Sequence, residues 1–190
     1  SRTGCPAFLS KFIVIGGISI LRDKLNGYQE KMLAFSLPDW EHLPELELYM
    51  DQVLLLLGRY LSFPPLSEDE KPITASIINN YVRMKIMPAP VKKKYGRVHI
   101  AYLLIICTLK QSLSIASIQK LIHMGLQEEE VAAIYRRFVS QYRGAIEVFS
   151  RYSQSILSED LTDDALATQA AVVTNLAKGL TEYLLTGQPE

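Results

Sequence analysis

The chain has 190 residues, 48% apolar and 21% charged, with acidic and basic side chains in equal number. That composition belongs to a folded globular protein and excludes a disordered charged tail as its main business. No run reaches the ~18 apolar residues of a membrane span, and the nearest, 12–21, also lacks a secretory cleavage site, so a cytoplasmic protein without membrane contact is expected.

Residues 1–36 read as an N-terminal extension, 37–126 as the central domain and 127–190 as a helical hairpin for dimerisation or effector binding. Pro38 and Pro44 punctuate the entry to a predicted helix over 45–61. There Leu46, Met50, Val53, Leu54, Leu57, Tyr60 and Leu61 recur mostly at three- and four-residue spacings. Pro64, Pro65 and Pro72, with the acidic run Glu68-Asp69-Glu70, make 62–72 a loop. Thr74 caps a helix that runs to about residue 85. Pro88 and Pro90 end it and begin a turn-rich stretch, 87–97, with room for a two-stranded ribbon.

Residues 98–110 are nearly all apolar and predict a buried helix containing Cys107. Cys107 and Cys5 lack zinc or redox spacing and read as reduced thiols. Ser114 caps a helix over 115–123, with Gly125 as its C-cap. Glu128, Glu129 and Glu130 then stand at the positive end of a long helix. Its apolar positions Val131, Tyr135, Phe138, Tyr142, Ala145, Phe149, Tyr152 and Ile156 step alternately by four and three, a heptad seam. Thr162 and Asp163-Asp164 open a last helix, which Gly187 ends. The expected fold class is all-α, with at most a small hairpin at 87–97.

The zero net charge conceals sorting. Between Lys71 and Gln127 there is no Asp or Glu, while Lys71, Arg83, Lys85, Lys92, Lys93, Lys94, Arg97, Lys110 and Lys120 lie there. Positive charge segregated in this way suits a polyanion. On the helix from Thr74, Ile77, Ile78, Tyr81 and Val82 share one side and Ser76, Asn79, Asn80 and Arg83 the other. Asn pairs with adenine, Arg with guanine, and Ser with base or phosphate. The Pro- and Gly-punctuated stretch 88–97 then carries Lys92, Lys93, Lys94 and Arg97, cations placed to bind phosphate beside a recognition helix.

Thr74-x-x-x-Ile78-x-x-Tyr81, Ile86-Met87-Pro88, Lys94-Tyr95 and Leu113-Ser114-Ile115-x-x-Ile118 resemble the winged helix-turn-helix of the mercury-resistance-regulator (MerR) superfamily. More closely, Leu37-Pro38-x-Trp40, Leu43-Pro44-x-Leu46-x-Leu48-Tyr49-Met50-Asp51-Gln52-Val53, Ile77-Ile78-Asn79-Asn80-Tyr81-Val82 and Lys92-Lys93-Lys94-Tyr95 resemble a bacterial domain of unknown function, number 1836, over about 37–122. The resemblance implies a winged helix-turn-helix, with recognition helix 74–85 and basic wing 88–97, that binds double-stranded DNA as a homodimer. Asn79-Asn80-Tyr81 stands where MerR proteins usually carry Arg-Tyr-Tyr, and the loop 62–72 replaces their tight turn. The cysteine ligands of the metal-sensing members are absent, so no metal-sensing role carries over.

No phosphate-binding Gly-rich loop or nucleophile elbow is present, and His42, His99 and His123 are scattered. His99 and His123 read as helix-surface or cap residues. A non-enzymatic protein without cofactor or metal is expected. Two other readings stay open: an all-helical protein-interaction adaptor, or a small-molecule sensor whose pocket is lined by Tyr135, Phe138, Tyr142, Phe149 and Tyr152. The plainer role for that aromatic stripe is core or dimer packing.

Overall fold

A computed structural model describes residues 23–63, 73–157 and 162–186. The greater part of the predicted loop 62–72, Cys5 and Gly187 lie outside the described residues. The protein is all-helical: α1 (residues 23–34), a 3₁₀ turn at Trp40–His42, α2 (Met50–Tyr60), α3 (Ala75–Arg83), α4 (Arg97–Leu109), α5 (Ile115–Glu128), α6 (Val131–Leu157) and α7 (Asp163–Leu185). Among the described residues β-pairing is confined to two isolated antiparallel bridges, Leu48 with Tyr95 and Val91 with Lys94.

Two compact units form. The first joins α1 to residues 145–157 of α6 and 163–175 of α7. Gln29 Nε2 donates to Ser150 Oγ at 2.7 Å, both residues buried, and Lys24 pairs with Asp163 at 3.4 Å on the surface. Ser150, Ser153 and Ile156 are the buried positions of α6 here, whereas Ala145 and Phe149 are exposed. The buried face thus keeps Ile156 of the seam and extends onto small serines that hydrogen-bond to Gln29 and to the helix's own carbonyls.

The second unit contains residues 36–144 and the end of α7. Its centre is α4, buried at every position from His99 to Cys107. α2 packs on α3 and α4 through Val53 and Leu57, and α5 packs on α4 with Ile118 and Ile122 buried. Burial pushes the Cys107 thiol up to about 12. Tyr135 of α6 is fully buried; its hydroxyl donates to the Pro38 carbonyl at 2.9 Å.

Three boundaries differ from expectation. α2 begins at Met50 rather than 45, because Leu48 is drawn into extended pairing with Tyr95 and Gln52 Oε1 accepts from the Tyr49 amide at 2.9 Å. α3 stops at Arg83. α5 continues through Gly125 to Glu128. Gly125 is no cap: a Cβ there would lie 3.3 Å from Ile134 Cδ1, so its role is close helix approach.

Candidate functional site

α3 starts where Thr74 Oγ1 accepts from the Ile77 amide at 3.4 Å. Ile78 and Tyr81 are buried and dock the helix. Burial, with a smaller contribution from Cys107, moves the Tyr81 phenol up to about 12. The opposite face carries Ser76, Asn79 and Arg83 exposed and Asn80 half-buried. With Ile77 these four line an open depression of about 690 Å³. Arg83 Nη2 donates to Asn80 Oδ1 at 2.6 Å, which holds the guanidinium along the helix.

The end of α3 is a Schellman motif: the Ile86 amide donates to the Tyr81 carbonyl (3.1 Å) and the Lys85 amide to that of Val82 (3.0 Å). This places Lys85 in the left-handed region, φ 56°. Farther on, Val91 and Lys94 exchange both backbone hydrogen bonds, at 3.1 and 2.9 Å. Between them Lys92 and Lys93 have φ of 49° and 65°, the pattern of a two-residue hairpin turn with both central residues left-handed. Tyr95 then exchanges two 2.9 Å bonds with Leu48. The expected ribbon is therefore a single bridge that hands over to a second. The next pair that could extend the ladder, Ala89 with Gly96, is diverted to His99: the Gly96 amide donates to Nδ1 and the Ala89 carbonyl meets Nε2.

The acid-free basic stretch does not remain acid-free in space. Glu47 lies 3.9 Å from Lys94 Nζ, and Glu45 Oε1 accepts from Arg97 Nη2 at 3.1 Å. Lys94 also sits over the Tyr49 ring (5.6 Å) and Arg97 over Trp40 (5.7 Å). Arg97 and Lys94 thus belong partly to the scaffold. By contrast, no ion pair reaches Lys85, Lys92 or Lys93 from the described residues, and all three side chains are exposed.

His99 anchors the segment from behind. Its Nδ1 accepts from the Gly96 amide at 3.1 Å, and its Nε2 lies 3.1 Å from the Ala89 carbonyl. The two partners together require the neutral ring with the proton on Nε2. The ring also meets Tyr95 edge-on at 5.6 Å. Glu45, Glu47, Tyr49 and Lys85 were not among the residues expected at this site. Their signal is the alternation Glu45-Leu46-Glu47-Leu48, an extended pattern that aims both carboxylates one way.

The aromatic seam runs through both units. Tyr135, Phe138 and Tyr142 belong to the second unit, Phe149 and Tyr152 to the first, and of the five Phe138 lines a cleft there. Tyr135 stacks obliquely on Trp40 at 6.1 Å, and its phenol is raised well above the ordinary range, first by burial and then by Tyr60 and Asp39. Among the described residues no group of three His, Cys, Asp or Glu could hold a metal ion, and no helix is long and apolar enough to cross a membrane.

The model of a family described as domain of unknown function 1836 matches residues 38–138, just over half of the chain. The chain belongs to this family. The 1836 domain takes in α2 to α5 and the first turns of α6, so it includes both the Trp40 segment and the Tyr135 and Arg136 that clasp it. Within the matched range, three residues buttress the 91–97 segment: Trp40 lies beneath Arg97, Leu48 is bridged to Tyr95, and Tyr49 lies beneath Lys94. No curated protein and no solved structure matches the chain.

Proposed function

We propose that this 1836-domain protein is a non-enzymatic, cytoplasmic DNA-binding regulator of the winged helix-turn-helix kind, related in its design to the MerR superfamily. α3 enters the major groove with Ser76, Asn79, Asn80 and Arg83 toward the bases, and the Lys92–Lys93 turn grips flanking phosphate. Lys85 adds a third phosphate contact at the end of the helix, and Lys94 and Arg97, tied to Glu47 and Glu45, contribute less than their charges suggest.

The observation that carries this reading is the backbone under the lysines. Every non-glycine residue at positive φ among the described residues is a lysine, and all three flank the polar face of α3 in sequence. Left-handed geometry costs an ordinary side chain about 1 kcal/mol, and Asn or Gly would relieve it. Exposed lysines at such positions, with no carboxylate partner among the described residues, are what phosphate binding favours and folding alone does not.

A homodimer reading two half-sites completes the proposal. Leu176, Leu180 and Tyr183 lie exposed along one side of α7, 69%, 60% and 65% accessible, a stripe suited to a second copy. An interaction adaptor would use the same stripe without DNA. Fluorescence anisotropy of a labelled random-sequence duplex separates the two: the regulator binds it in low salt, the adaptor does not.

A further inference from the structure

A concave site lies in the second unit, away from α3, where α4, α5, the start of α6 and the end of α7 leave a cleft of about 530 Å³. That volume falls within the ~300–1,000 Å³ of ordinary small-molecule sites. Leu121, Ile122, Met124, Ile134, Phe138 and Leu184 give it predominantly apolar walls, and among the described residues no carboxylate lines it. Among the described residues the one charged lining group is Arg137.

Gly125 sets the position of that charge. A side chain there would meet Ile134 Cδ1 at 3.3 Å and Arg137 Nη2 at 3.4 Å. Its absence lets the guanidinium lie against the α5 backbone at the cleft wall. Nη1 of the same guanidinium donates to Glu129, so the group is held in place while Nη2 faces Gly125. The other polar lining groups are Gln141 and Thr181, and the Thr181 hydroxyl is already spent on the Ala177 carbonyl at 3.0 Å.

From this arrangement we infer that the cleft binds an amphipathic carboxylic acid, its apolar body against Leu121, Met124, Ile134 and Phe138 and its carboxylate on Arg137. An anchored guanidinium beside an apolar wall recognises a planar anion through charge-assisted hydrogen bonds. An ammonium-bearing ligand would be repelled, and a neutral one would leave Nη2 unused. The inference stands apart from DNA binding, because it concerns a different face and is tested without nucleic acid.

The test is calorimetric titration of the full chain with decanoate and with decan-1-ol. Decanoate should bind about tenfold more tightly, the factor typical of one charge-assisted hydrogen bond. Arg137→Gln should remove that preference, and Glu129→Gln, which frees the guanidinium, should enlarge it. Met124→Glu should abolish decanoate binding while leaving the helical circular dichroism unchanged, since Met124 is 54% exposed. Equal affinity for acid and alcohol, or decanoate binding untouched by Met124→Glu, overturns the inference. So does a dimer in sedimentation that Met124→Glu dissociates, since a second copy would then fill the cleft.

Discussion

Lys92 and Lys93 hold a turn whose geometry Asn-Gly adopts with less strain. Lys92→Asn with Lys93→Gly should therefore stabilise the fold, by roughly 1–2 kcal/mol for the pair, and at the same time weaken duplex binding. Thermal unfolding and anisotropy on the same protein check the two halves; a variant that lost stability would remove the strain argument. Cys107 offers a second residue-level check. With its thiol pushed up to about 12 and 3% exposed, it should react with a disulfide reagent only as the protein unfolds. A Cys5→Ser protein isolates it, and labelling at the native rate of a free thiol would contradict the burial. The polar face of α3 was legible in sequence because helical periodicity alone separates Ser76, Asn79 and Arg83 from Ile78 and Tyr81. The neutralisation of Arg97 was not, because its partner Glu45 is 52 residues away and meets it only once Leu48 and Tyr95 pair.

At the scale of elements, the wing-like turn and its supports should separate in experiment. Arg97→Ala removes an ion pair and a contact with Trp40, so it should cost about 1 kcal/mol of stability while leaving the salt dependence of binding nearly unchanged. Lys92→Ala with Lys93→Ala should do the reverse. The start of α6 is fastened to the 38–41 segment by Tyr135 to Pro38, Arg136 to Glu41 and Arg143 to Asp39. The hydrogen bond from Arg136 holds the Glu41 carboxyl below its ordinary range. A depressed carboxylate contributes stability that is present above its unfolded pKa and fades as pH falls through the folded value. Glu41→Gln should thus flatten the acid limb of the pH–stability curve slightly and leave neutral pH behaviour otherwise alike, as unfolding in urea at several pH values would show. Helix order followed from periodicity and caps such as Thr74 and Ser114. The helix ends did not, because Gly125 was read as a stop when the close approach of Ile134 is what selects it.

At the scale of the whole molecule, the all-helical class and the family were both visible in the sequence, and the grouping of helices was not. α1 joins the C-terminal half of α6 through Gln29 and Ser150, a contact across 121 residues that no local pattern announces. The exposed stripe on α7 predicts a dimer at micromolar concentration, and Leu176→Glu with Leu180→Glu should convert it to a monomer without unfolding it. Sedimentation equilibrium decides this, and a monomeric wild type would end the dimer proposal while leaving the single half-site intact. The central claim is that α3 and the Lys92–Lys93 turn bind duplex DNA. The most direct test compares the salt dependence of duplex affinity for the wild type and for Lys92→Ala with Lys93→Ala, a pair that loses charge while keeping the strained turn. The account predicts a steep negative log–log slope of about −0.9 per phosphate contacted, reduced by nearly two contacts in the variant. An identical slope in both proteins, or no duplex binding at low salt, would contradict it.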